Sequence, residues 1–261
     1  MAIQKSAFTC VRDGLVIRGT MFRQKKDRLP IAVVCHGFMA NRQSVTKYAK
    51  RLAAWGYAAF CFDFNGGCVR GKSDGKTTDM TVLTEKADLL AVIDYAKSLA
   101  FTDPDRLILM GCSQGGFVSA LTAAQLGDAV SGLILFYPAL CIPDDARKGQ
   151  MMFATFDPSD IPETITCGPM KLGHDYPACV LDMDPFAQIS PYTGPVLLVH
   201  GDQDPIVKLS YAVRARRAYE AVRTMAQQKN FHLKVVKGAG HGFTSRADRT
   251  AIECVRQFLA E

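Results

Sequence analysis

Ser113 stands at the centre of Gly111-Cys112-Ser113-Gln114-Gly115, directly behind the apolar run 107–110 and ahead of a helix-compatible segment. A strand, a tight turn and a helix with a serine at the apex expose a hydroxyl that is otherwise a poor nucleophile, provided that a neighbouring base takes its proton. Gly111 and Gly115 lack a Cβ, so strand and helix can approach closely around such a turn. A nucleophilic serine also needs a carboxylate to orient the base, and donors for the oxyanion. Five histidines narrow the search for the base. His241 lies in the glycine-rich stretch 236–243, behind a strand-like run, and is expected to be the base. His36 and His200 each end an apolar run before a glycine and are expected to have structural or supporting roles, while His174 and His232 are expected to take no part. Where this turn occurs on a parallel sheet, the chain order is serine, acid, histidine. The acid is then sought in Gly201-Asp202-Gln203-Asp204-Pro205, where the residues alone leave Asp202 and Asp204 both open, one of them suiting an Asx turn or helix cap. The oxyanion donors are expected to be the backbone N–H of Gln114, after the serine, and of Phe38, after His36-Gly37. Each such donor is worth about 2.7–4 kcal/mol in a dry site.

Positioning these groups requires an alternation of strands and helices. Residues 7–11 and 15–22 read as strands joined through Arg12-Asp13-Gly14, a hairpin signal. Short apolar runs at 31–35, 57–62, 106–110, 132–137, 195–200 and 231–237 read as further strands, several of them buried on both faces. Residues 45–55, 80–99, 114–126 and 246–259 read as helices. The expectation is an α/β fold, a mostly parallel sheet with helices on both faces and its site at the C-terminal strand ends. Segment 141–191 breaks the alternation. It holds seven of the 12 prolines and no long periodic run, yet keeps Met151, Met152, Phe153, Phe156, Tyr176 and Phe186. That content argues against disorder and for an inserted cap. The expected organisation is a core formed by 1–140 and 192–261, with 141–191 as cap or lid.

Composition excludes other classes. Hydrophobic residues make up 48% and charged residues 21% of the 261, and the net charge of +6 is scattered, which argues against a nucleic-acid partner. Nine cysteines without a Cys-x-x-Cys pair read as small buried residues in a reducing compartment, with reactive thiols at Cys35 or Cys112 the lesser alternative. The first residues carry no apolar targeting run and no stretch approaches 18 apolar residues, so the expectation is a cytoplasmic chain with no membrane partner.

His36-Gly37-Phe38, Gly111-Cys112-Ser113-Gln114-Gly115-Gly116, His200-Gly201-Asp202-Gln203-Asp204 and Gly240-His241-Gly242-Phe243 together resemble an α/β-hydrolase. The stretches 138–149, 157–163, 172–176 and 184–186 extend the likeness to the small bacterial cinnamoyl (feruloyl) esterases, over nearly the whole chain. The resemblance implies the α/β-hydrolase fold and cleavage of hydroxycinnamoyl esters of the feruloyl or chlorogenate type through an acyl-enzyme, with no cofactor or metal. It selects Asp204 over Asp202 as the acid and agrees on the Phe38 and Gln114 amides. It places Asp145 and Tyr176 against the substrate's phenolic hydroxyl, and it suggests a homodimer. Two departures bear on substrate preference: Met152 stands where some members have glutamine, and the loop 66–75 is longer. A serine aminopeptidase or acyl-peptidase, a general short-chain carboxylesterase and a non-catalytic binding protein of the same fold are the alternatives.

Overall fold

A computed structural model describes residues 2–228 and 230–260. β1 (Gln4–Arg12) and β2 (Leu15–Arg23) form the expected hairpin. Asp13 and Gly14 at its tip have φ of 50° and 80°, the left-handed pair that a tight two-residue hairpin needs. β3 (Leu29–Cys35), β4 (Ala58–Asp63), β5 (Thr102–Cys112) and β6 (Gly132–Phe136) follow. Two small antiparallel hairpins come next, β7 (Gln150–Met151) with β8 (Ala154–Thr155) and β9 (Thr164–Cys167) with β10 (Met170–Gly173). β11 (Val196–Gly201) and β12 (Phe231–Val236) complete an eight-stranded sheet of order β1-β2-β4-β3-β5-β6-β11-β12. Within this sheet only the two ladders made by β2 are antiparallel.

The helices are α1 (Arg42–Ala54), α2 (Val82–Lys97), α3 (Gln114–Leu126), α4 (Ile142–Arg147), α5 (Asp175–Ala178), α6 (Pro185–Ile189), α7 (Leu209–Val222), α8 (Met225–Gln228) and α9 (Ser245–Phe258). Period-2 alternation divides their packing between two faces. Ile31, Val33 and Cys35 of β3 face one core with Leu89 and Val92 of α2, Phe117 of α3 and Tyr211 and Tyr219 of α7. Ala32 and Val34 face the other, with Val45 and Leu52 of α1 and Ala251 and Val255 of α9. Segment 141–191 carries no separate core. Ile142, Met151, Ile165, Leu172, Tyr176 and Ile189 join the cluster under α2, α3 and α7.

The structure adds short elements inside 141–191, where the sequence shows no period, and differs from the sequence expectation at two further places. Asp103-Pro104-Asp105 does not precede β5 but lies inside it, where the ladder to β3 shifts between Pro30 and Ile31. A bulge at the strand's beginning lets a proline sit there. Helix α7 was not singled out by its apolar pattern, because its buried face is only Tyr211, Ala212, Ala215 and Tyr219 among exposed arginines.

Candidate active site

The turn between β5 and α3 has the geometry that its glycines demand. Ser113 is held at φ 54° and ψ −122°, a strained conformation for a residue with a side chain. A Cβ on Gly111 would collide with the Gly115 carbonyl, and one on Gly115 with the carbonyl of His36. The end of β6 fixes the strain: the Ser113 N–H donates to Phe136 O (2.9 Å), and its carbonyl accepts from Gly116, Phe117 and Ala139. The result is a hydroxyl at the N-terminus of a 13-residue helix, where the helix dipole favours negative charge.

Three elements bring the remaining groups to it. His241, in the loop after β12, lies with Nε2 3.0 Å from Ser113 Oγ and Nδ1 2.8 Å from Asp204 Oδ2. Facing a carboxylate, Nδ1 carries the proton, so Nε2 is left to accept from the serine hydroxyl. The ring rests against Tyr137, 4.7 Å between centroids. Asp204 is buried, and its second oxygen Oδ1 accepts from the N–H groups of Ile206 and Val207, both at 2.9 Å. Burial alone would raise its pKa; the bonds from His200, His241 and Val207 outweigh that and hold the carboxyl below its usual range. His200 donates Nε2–H to Val207 O at 2.8 Å and touches Asp204 Oδ2 at 3.4 Å, so its principal partner is the carbonyl. Asp202 is separate: it accepts from the Gly238 N–H at 2.6 Å, bracing the turn after β12.

The loop after β3 lies beside the serine. A Cβ on Gly37 would sit 3.0 Å from Ser113 Cβ, so only glycine lets this loop approach without displacing its neighbours. His36 anchors it, with Nδ1 2.8 Å from Gly37 O and Nε2 accepting from the Phe64 N–H at 3.2 Å. Phe38 and Gln114 both line the cavity that opens at Ser113.

That cavity has a volume of about 410 Å³, within the range of small-molecule sites. Asp145 and Tyr176 line it as well. Burial raises the Asp145 carboxyl, against a hydrogen bond from the Cys141 thiol and the charges of Lys148 and Lys208. Tyr176 is 2% exposed, and its hydroxyl donates to Gln114 Oε1 at 2.5 Å. Gln150, Lys148 and Lys208 share the wall but were not picked out from the sequence. They sit in loops and a two-residue strand, with no motif or periodicity to mark them. Among the described residues, His36, Asp63 and Cys68 place potential ligand atoms within 4.8 Å of one another. Two of the three are already engaged: Asp63 takes the Arg42 guanidinium and the N–H groups of Arg42 and Lys72, and His36 bridges Gly37 and Phe64. No helix among the described residues is long and apolar enough to cross a membrane.

Comparison with known proteins places the chain by fold and family. Est1E from Butyrivibrio proteoclasticus, solved with ferulic acid bound, superposes with a TM-score of 0.85 at 29% identity, covering 97% of this chain and 100% of that one. DcsB, solved with a substrate analogue, has a TM-score of 0.77 at 18% identity over 98% of this chain and 99% of that one, a likeness of fold alone. The quorum-quenching protein AidA of Acinetobacter baumannii (strain MDR-ZJ06) is 35% identical over 98 residues, 37% of this chain; the match spans 31% of that relative's length. The fold is that of the α/β-hydrolases. With the profile of the prolyl oligopeptidase family matching residues 43–261, the chain belongs to that family.

Proposed function

We propose that this chain is a serine carboxylester hydrolase and that segment 141–191 is the cap that shapes its acyl pocket. The observation that carries the reading is the continuous relay from Ser113 Oγ through His241 (3.0 and 2.8 Å) to buried Asp204, opening onto the 410 Å³ cavity. Ser113 attacks the ester carbonyl while His241 Nε2 accepts its proton. Asp204 holds the imidazole tautomer and stabilises the imidazolium. The N–H groups of Phe38 and Gln114 receive the oxyanion. The proton on His241 passes to the leaving alcohol, and water then releases the acid from the acyl-enzyme by the same steps.

The substrate class is a hydroxycinnamoyl ester. Support comes from Phe38, Met151, Met152 and Phe153 in a cavity wall that also carries the Asp145 carboxyl, and from the likeness to a protein solved with ferulic acid. Nine free cysteines fit the reducing cytoplasm, and the suggested homodimer is open to light scattering. Ser113→Ala is expected to lower p-nitrophenyl ester hydrolysis by about 10⁴-fold or more. Hydrolysis at the parent rate would overturn the reading. Higher kcat/KM on short aliphatic esters than on methyl ferulate or chlorogenate would remove the substrate class and leave the chemistry.

Family membership favours a second reading, cleavage of a peptide or acyl-peptide amide by the same relay. Turnover of an aminoacyl p-nitroanilide faster than of the matching ester would select it. Failure of a fluorophosphonate to label Ser113 would point instead to a non-catalytic binding protein.

A further inference from the structure

Glu85 is a buried acidic side chain bonded to Gln114 that the mechanism above does not use. It projects from the first turn of α2, 1% exposed, into a space where loop, helix and cap segment meet. Gln114 Nε2 donates to Glu85 Oε2 at 2.8 Å, and Tyr176 donates to Gln114 Oε1 at 2.5 Å. Both ends of one amide side chain are therefore held, and that amide belongs to the residue whose backbone N–H follows the nucleophile. The Tyr176 ring lies 5.8 Å from the Phe38 ring, which belongs to the second proposed donor. The loop after β4 leaves room for the carboxyl only because position 67 is glycine: a Cβ there would stand 2.8 Å from Glu85 Oε1.

From this geometry we infer that Glu85 and Tyr176 are positioning residues of the oxyanion hole, Glu85 fixing Gln114 and Tyr176 clamping Gln114 and Phe38 together. The inference rests on the serine hydrolase reading above. It gives the Tyr176 hydroxyl a task inside the protein, in place of a contact with the substrate's phenol.

The Glu85 carboxyl pairs with the Gln114 amide. Burial raises its pKa well above the ordinary carboxyl value, the nearby Asp88 charge adds to this, and the Gln114 amide opposes it. Burial likewise raises Tyr176 far above the ordinary phenol. Burial disfavours charge on both groups, and the chain Glu85–Gln114–Tyr176 runs through a dry interior, where each partner lost leaves another unsatisfied.

The test uses p-nitrophenyl acetate, whose acyl group is too short to reach the cap, together with an aryl trifluoromethyl ketone that forms an oxyanion on Ser113. Tyr176→Phe keeps the ring and removes the hydroxyl. Glu85→Ala removes the acceptor, and Glu85→Gln retains a neutral one. Misplacing a donor is expected to lower kcat about tenfold in Tyr176→Phe and Glu85→Ala, less than the 10²–10³-fold that follows loss of a donor outright. KM should stay near the parent's, the ketone should bind more weakly by a similar factor, and Glu85→Gln should recover most of what alanine removes. A parent-like kcat in Tyr176→Phe, with KM rising only for ferulate esters, would overturn the inference and return Tyr176 to substrate contact. Equal losses in Glu85→Gln and Glu85→Ala would also overturn it. If Glu85→Ala does not fold, Tyr176→Phe and Glu85→Gln decide. Failure of the underlying reading is distinguishable, because Ser113→Ala would then retain turnover whatever stands at 85.

Discussion

Two aspartates lie two positions apart in the loop after β11, and their surroundings give them different work. Asp204 has a buried carboxyl with one oxygen on His241 Nδ1 and the other on two backbone N–H groups, so it is fixed in place as well as charged. Asp202 is partly exposed and holds the Gly238 N–H. Asp204→Asn keeps the size but loses the charge and offers the imidazole the wrong tautomer, and is expected to lower kcat by about 10⁴-fold. Asp202→Asn can still accept from Gly238 and should leave kcat near the parent's. Steady-state kinetics on one p-nitrophenyl ester compares them, and an equal fall in both would refute the assignment. Nothing in Gly201-Asp202-Gln203-Asp204-Pro205 separates the two physically, because the separation comes from burial and from partners two, three and 37 residues onward. The thiols beside the site show the same dependence on burial. Cys112 has its pKa pushed up to about 12 by desolvation, which makes it an unreactive neighbour of the nucleophile.

At the level of elements, the loop after β3 depends on His36 as a neutral bridge between Gly37 and Phe64. Burial lowers its pKa below the ordinary 6.5, the Gly37 carbonyl and Asp63 opposing and Arg42 assisting. Below pH 6.5 the unfolded chain therefore binds a proton that the folded one refuses, and stability falls as the pH drops through that value. His36→Gln can make both bonds without titrating, so its melting temperature should fall less than the parent's between pH 7 and pH 5. Parallel profiles would refute this. Much of the surrounding architecture is legible in the sequence for a simple reason: parallel strands covered on both faces must be short apolar runs, and the turn at Ser113 needs glycine where backbones meet. What is not legible is set by contacts distant in the chain. Helix α7 buries one narrow stripe beneath exposed arginines, and β7 and β8 are two residues each, too short to show a period. The tie from Glu85 to Gln114 joins positions 29 residues apart, and no spacing rule announces it.

For the whole molecule, the question is what holds segment 141–191 against the rest of the chain. Its apolar residues belong to the main core, so the segment is a wall of the same body, and one carboxylate adds a polar clasp at its edge. Asp144 of α4 accepts from Tyr211 (2.8 Å) and Arg214 (3.1 Å) of α7 and from Arg147 (2.6 Å), whose other amine donates to the carbonyls of Leu181 and Met183. Arg214 also lies 4.2 Å above the Phe186 ring of α6. Burial opposes charge on Asp144, but its three donors hold the carboxyl below the usual range. The partners are 41–50% exposed on the arginine side, so each pair alone is worth little. Their shared acceptor ties α4 to α7, Arg147 and Arg214 extend the tie to 181–183 and α6, and the adjacent residue is the pocket's Asp145. Asp144→Ala should therefore lower stability by about 1 kcal/mol. It should raise the KM for a ferulate ester while kcat on p-nitrophenyl acetate holds, and amide hydrogen exchange should quicken in α4 and around 181–183. Unchanged exchange there in the variant would mean that the shared apolar core alone fixes the wall.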